Sequence, residues 1–131
     1  MLYQHNRKKG AIRDVLRMAA IIMTGAFQNK YKQPKLIENG AMEGLKKFFL
    51  QRIDSGEINE VENELWNRLD YSMDVGEVNV SLIEMVLEIY GYINEKDDEF
   101  LRGHDYSREE IKEGIQRVLK MVGIELPTEL M

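Results

Sequence analysis

No cysteine occurs among the 131 residues, which excludes disulfides and thiolate chemistry and suits a reducing compartment. Only two prolines interrupt the chain, Pro34 and Pro127, so long stretches are free of helix breakers. The longest uninterrupted apolar run, Met18–Met23, is six residues, far short of the ~20 that span a bilayer. Arg7-Lys8-Lys9 precede it as the basic start of a signal peptide would, yet Arg13, Asp14 and Arg17 break the stretch that should be apolar. These absences leave a single soluble domain over 1–131, expected in the cytoplasm, large enough to bury a core without a covalent staple.

What is present is charge, and it is unevenly spread. Residues 1–54 carry 11 Lys/Arg against 4 Asp/Glu, whereas residues 55–131 carry 7 against 19. Two halves of opposite sign are expected to face each other within the fold or across a dimer, and a basic half also raises nucleic acid as a partner. The sharpest form of that basicity is Lys9, Arg13 and Arg17, spaced i, i+4 and i+8 as one helical stripe and the candidate anion-binding residues.

Periodicity predicts helices throughout and no strand. Residues 1–9 read as a flexible start. From Gly10 to Gln28, Ile12, Val15, Leu16, Ala19, Ala20, Ile22, Met23, Ala26 and Phe27 share one broad face. Met18 and Ile21 fall outside that face. A helix apolar beyond one side is buried on two sides or forms an interface, so Met18, Ile21, Ile22 and Gly25 are the candidate interface. Pro34–Asp54 forms the second helix, with Ile37, Ala41, Leu45, Phe48, Phe49 and Ile53 inward and Ser55-Gly56 as its end.

The stretch Gly56–Asp70 divides the chain electrically and holds the one tryptophan. Asn59 followed by Glu62 has the spacing of a capping box, and Val61, Leu65, Trp66 and Leu69 line a single face. Tyr71–Asn79 reads as a loop. Ser81 with Glu84 forms a second predicted box, opening a helix to Asn94 with Leu82, Ile83, Val86, Leu87, Tyr90 and Ile93 inward. A short helix holds Phe100 and Leu101 and stops at Gly103. For the last, Ser107 is the N-cap and Glu110 its reciprocal partner; Ile111, Ile115, Val118, Leu119 and Val122 face inward. Gly123 suits the left-handed position of a Schellman ending, with Ile124 placed to touch Leu119. Beyond it, 125–131 is expected to be an extended tail. The predicted fold is all-α: an antiparallel bundle of five main helices and one short helix.

Several of these segments form a pattern together: GEINEVEN at Gly56–Asn63, LEIYGYIN at Leu87–Asn94, DEFL at Asp98–Leu101, HDYSREEIKEG at His104–Gly114, and Arg13-Asp14 with Arg17-Met18. In them the chain resembles a family of small all-helical bacterial proteins of unassigned function. The resemblance spans most of 56–124 and, more loosely, the first helix. It implies a helical fold with tetratricopeptide-like hairpin packing and supplies no activity. Gly56–Leu69 matches the first helix of such a hairpin, although no second copy of the motif follows.

Chemistry is thinly represented. His104-Asp105 matches the metal-binding pair of phosphohydrolases, but the only other histidine is His5, and a turn-forming role for His104 is expected. Asp97, Asp98 and Glu99 lack the spacing of a calcium loop, and no Glu-x-x-His pair offers a carboxylate metal site. The expectation is therefore no catalytic residue, metal or cofactor. A non-enzymatic protein–protein interaction module fits best, binding itself as a homodimer or a partner's helix. The alternative is nucleic-acid or anionic-surface binding by the basic half, through the stripe together with Lys8, Lys30, Lys32 and Lys35. No membrane partner is expected.

Overall fold

The structure is a computed structural model describing residues 2–27, 36–76 and 80–124, with side chains described over 7–22, 41–76 and 80–124. Lys30, Tyr31, Lys32 and Lys35 lie outside the described residues, as does the tail at 125–131. Among the described residues the fold consists of six helices: α1 (Leu2–Phe27), α2 (Leu36–Asp54), α3 (Ile58–Asp74), α4 (Val80–Asn94), α5 (Asp98–Gly103) and α6 (Arg108–Met121). Among the described residues there is no strand. The chain is an all-α bundle of five long helices and one short one.

The bundle is arranged around α4. Ten of its fifteen residues are buried, Leu82, Ile83, Val86, Leu87, Tyr90 and Ile93 among them. A helix that is apolar nearly all round belongs in the middle of a bundle. Contacts along it fix the directions of its neighbours. α1 runs antiparallel to α4, with Arg13 at Glu95 and Leu16 against Gly91. α2 runs parallel to it, with Lys46 at Glu88 and Asp54 at Lys96. α6 returns antiparallel, with Arg108 on Asn94 and Gly114 under Tyr90. α3 folds back on α2, where Arg52 meets Glu64. Successive long helices thus alternate in direction.

The core joins Ile12, Val15 and Ala19 of α1, Phe49 and Ile53 of α2, Val61, Leu65 and Leu69 of α3, and Ile111, Ile115, Val118 and Leu119 of α6 to the inner face of α4. Phe48, expected inward, is 52% exposed, and Ala41 is exposed as well. The Arg52 guanidinium lies over the Phe48 ring at 5.5 Å and covers part of it.

Helix ends with local determinants form as their residues dictate. Ser107 accepts from the Glu110 backbone while the Glu110 carboxylate accepts from the Ser107 backbone at 2.8 Å, a complete capping box. Past α6, Ile124 N–H donates to Leu119 O at 2.9 Å and Gly123 N–H to Lys120 O at 3.1 Å, with Gly123 at φ +76°. That is the expected Schellman ending. Gly56, at φ +93°, closes α2 the same way, through Glu57 N–H to Arg52 O at 2.9 Å.

Other boundaries differ. α1 begins at Leu2 rather than Gly10, and α3 continues through Tyr71–Asp74 where a loop was expected. Ser81 lies inside α4, which starts at Val80, so it is not the cap. α5 does end at Gly103, as expected, and the left-handed residue that follows it is Asp105, at φ 55°. The Asn59/Glu62 box does not form: α3 is preceded by Glu57 with no side-chain cap, and both residues are engaged elsewhere.

Candidate functional site

Three arrangements of side chains rise above ordinary packing: an exposed apolar strip on α1, a set of cross-helix ion pairs, and two polar anchors, one buried and one half-buried.

On the strip, Met18 is 39% exposed, Ile21 68% and Ile22 36%. They stand at i, i+3 and i+4, hence on one side of α1. Gly25 continues that register within α1, although its surroundings are outside those described. Asp14 and Arg17 border the strip and pair with each other at 3.8 Å, both about three-quarters exposed.

The basic stripe divides. Arg13 Nε donates to Glu95 Oε2 at 2.7 Å, and Lys9 Nζ reaches the Glu95 carbonyl at 3.3 Å. Arg17 instead turns to Asp14. Lys8 approaches Glu109 at 3.5 Å. The opposite charges of the two halves meet within the fold here, and again at Lys46–Glu88 (2.8 Å) and Arg52–Glu64. The Arg13 hydrogen bond holds the Glu95 carboxyl below its ordinary range, and Lys96 with the Tyr92 hydroxyl does the same for Asp54. A carboxylate whose folded pKa is depressed adds stability that is present above its unfolded pKa and lost as pH falls through the folded one. Acid titration of the melting temperature should therefore show a decline below the ordinary carboxylate range, and Glu95→Gln should flatten part of that decline while leaving the melt near neutral pH lower.

Neither anchor was visible in the sequence. Arg108, 7% exposed, is the first residue of α6, where a cation opposes the helix dipole. Its guanidinium donates to Asn94 O (2.6 Å), Asn94 Oδ1 (2.8 Å), Lys96 O (2.8 Å) and Asp98 Oδ1 (3.1 Å). Asn94, wholly buried, in turn donates to the Lys9 carbonyl at 3.0 Å. One arginine thereby ties α6 to the α4–α5 turn, and through Asn94 to α1. Its wrong sign for a first helical turn was the one available sequence signal.

The second anchor is Glu62. Its Oε2 accepts from Tyr90 (2.7 Å) and Tyr106 (3.0 Å), joining α3, α4 and the entry to α6. Burial, first, and the carboxylate beside them push both phenols above their ordinary range, so they remain donors. Gly114 permits the approach: a Cβ there would lie 2.2 Å from the Tyr90 hydroxyl. Trp66, half-buried, completes this region with the Arg117 guanidinium 3.9 Å above its ring.

His104 has a packing position. Its Nδ1 donates to the Phe100 carbonyl at 2.8 Å, its ring lies 4.5 Å from that of Phe100, and it fills the space where Gly56 lacks a side chain. Asn59 donates to the carbonyls of His104 and Asp105 at 3.4 and 3.3 Å. Among the described residues, no three His, Asp or Glu side chains converge as a metal site would require. Nor does any buried side-chain nitrogen or oxygen there lack a partner. No helix among them is long and apolar enough to cross a membrane.

Two surface depressions mix apolar with charged and polar side chains. One, about 490 Å³, lies where Met42, Arg68, Tyr71, Val75 and Leu82 meet. The other, about 410 Å³, separates α1 from α4 and is lined by Leu16, Arg17, Ala20, Glu84, Leu87, Glu88 and Gly91.

By fold, then, this is an all-helical bundle with polar anchors and an exposed apolar strip. A family of unknown function (DUF6483) matches residues 3–123, and the chain belongs to that family. No curated protein and no solved structure matches it.

Proposed function

We propose that the protein is a non-enzymatic, cytoplasmic helical interaction module that associates with a second copy of itself through α1. The observation that carries this reading is the Met18–Ile21–Ile22 strip, apolar and open to solvent in a chain whose facing charges are largely matched. Asp14 and Arg17 at its border cancel, so the strip offers no net charge to select an acidic or basic partner. An identical strip from a second copy is complementary to it, and a two-fold dimer uses one patch twice. Tetratricopeptide-like hairpin packing, as in other helix-binding scaffolds, belongs to the same reading.

Binding of nucleic acid or another anionic surface ranks below it. Lys9 and Arg13 are engaged by Glu95, which leaves Arg17 the most exposed member of the stripe.

Light scattering after size exclusion tests the proposal. The wild-type chain should elute with a mass near twice 15.3 kDa, in low and in high salt. Ile21→Glu should shift it to a single 15.3 kDa mass with unchanged helical circular dichroism. A wild-type monomer at high concentration would overturn self-association.

A further inference from the structure

The cleft between α1 and α4 carries a separate inference. α1 and α2 both pack on α4, and among the described residues Glu84, Glu88 and Gly91 of α4 line the depressions between them. The walls toward α1 are apolar: Leu16, Ala20 and Leu87. On the α2 side Lys46 closes the opening by pairing with Glu88 at 2.8 Å and Glu43 at 3.3 Å.

Glu84, like Glu88, lines both the α1 and the α2 side of this opening. Among the described residues it forms no ion pair, although cations stand on either side of it. Arg17 is turned to Asp14, and Lys46 is taken by Glu88 and Glu43. Glu84 is itself exposed, and desolvation by its neighbours, then the Glu88 charge, push its carboxyl above the ordinary range. A carboxylate held beside another, on an apolar floor, is stabilised by a cation arriving with its own apolar surface.

The cleft also has a length. From Glu84 to Gly91 it follows two turns of α4, about 10 Å at ~1.5 Å per residue. That distance matches side chains projecting at i, i+4 and i+7 from one face of a helix laid along the groove. We infer that the α1–α4 cleft docks an amphipathic helix of another protein, seating a lysine or arginine on Glu84 and apolar side chains on Leu16, Ala20 and Leu87. This surface is distinct from the Met18–Ile21–Ile22 strip.

The test uses the full chain and a fluorescently labelled helical peptide of about four turns, leucine and alanine on one face with one central lysine. Its counterpart replaces that lysine with glutamate. By anisotropy, the lysine peptide should bind saturably, and the glutamate peptide at least tenfold more weakly. Glu84→Gln should weaken the lysine peptide about tenfold. Glu113→Gln, which removes an equal charge from an exposed position on α6, should leave binding unchanged. Ala20→Phe should abolish binding by filling the cleft. Ile21→Glu should leave it intact, which separates this proposal from self-association. Equal effects of Glu84→Gln and Glu113→Gln would reduce the attraction to overall charge and overturn the inference. So would undiminished binding to Ala20→Phe, or no saturable binding of the lysine peptide.

Discussion

Arg108→Met should lower the unfolding free energy by about 3–5 kcal/mol, because removing one member of a buried charged cluster strands its partners. Four acceptors depend on this guanidinium, and three of them belong to Asn94 and Lys96. Methionine replaces the packing volume but none of the donors. Asn94 O and Asn94 Oδ1 would then lose their donors in a buried place, and Lys96 O in a half-buried one. Folded domains hold about 5–15 kcal/mol in total, so this single change should consume about a fifth of it or more. Arg108→Lys should recover only a minor part, since a compact ammonium cannot span acceptors arranged for a planar fork. Urea unfolding followed by the fluorescence of Trp66 measures both variants. A loss under 1 kcal/mol for Arg108→Met would show that the turn between α4 and α5 is held without it.

Gly114→Ala should be the next most damaging. In a helix with room for it, this substitution stabilises by about 1 kcal/mol. Here the new methyl would lie 2.2 Å from the Tyr90 hydroxyl and 2.3 Å from the ring carbon bearing it. Tyr90 cannot yield freely, because it is buried among the helices and hydrogen-bonded to Glu62. Overpacking at such a site costs about 1–3 kcal/mol and can exceed that, which outweighs the gain in helix propensity. The melting temperature should fall by about 5–10 °C. In a Tyr90→Leu background the same substitution should cost less or become favourable, and that coupling, read from a double-mutant cycle, identifies the contact as the cause.

These two sites also show what a linear reading can and cannot reach. The end of α6 was legible because its determinants, Ser107, Glu110, Gly123 and Ile124, lie within a few residues of the bonds they make. The apolar stripe of α4 was legible for a similar reason: periodicity reports burial directly. Asn59 and Glu62 had the same spacing as a genuine box and yet do something else. Their partners, at His104, Tyr90 and Tyr106, are 28 to 45 residues away, and no local rule weighs them. Residues 2–9 failed in the opposite direction. Viewed alone they are too polar to hold a helix, but Asn94, Glu95 and Glu109 supply contacts to Lys8 and Lys9 from the far end of the chain. The candidate interface was readable to the extent that Met18 and Ile21 sat off the buried face. The cleft at Glu84 was not, because it exists only where two helices fail to close over a third.

The central place of α4 has a bearing on how the chain comes into being. α1 and α2 find their main apolar floor on a helix that begins at residue 80. On the ribosome they emerge first and must wait, with Ile12, Val15, Phe49 and Ile53 uncovered, until that floor is made. α6, which covers another side of α4, follows later still. α2 and α3 can pair ahead of α4, yet the faces that α1 and α2 turn toward α4 have no native cover until it is made, and such apolar surface is what must be shielded during translation.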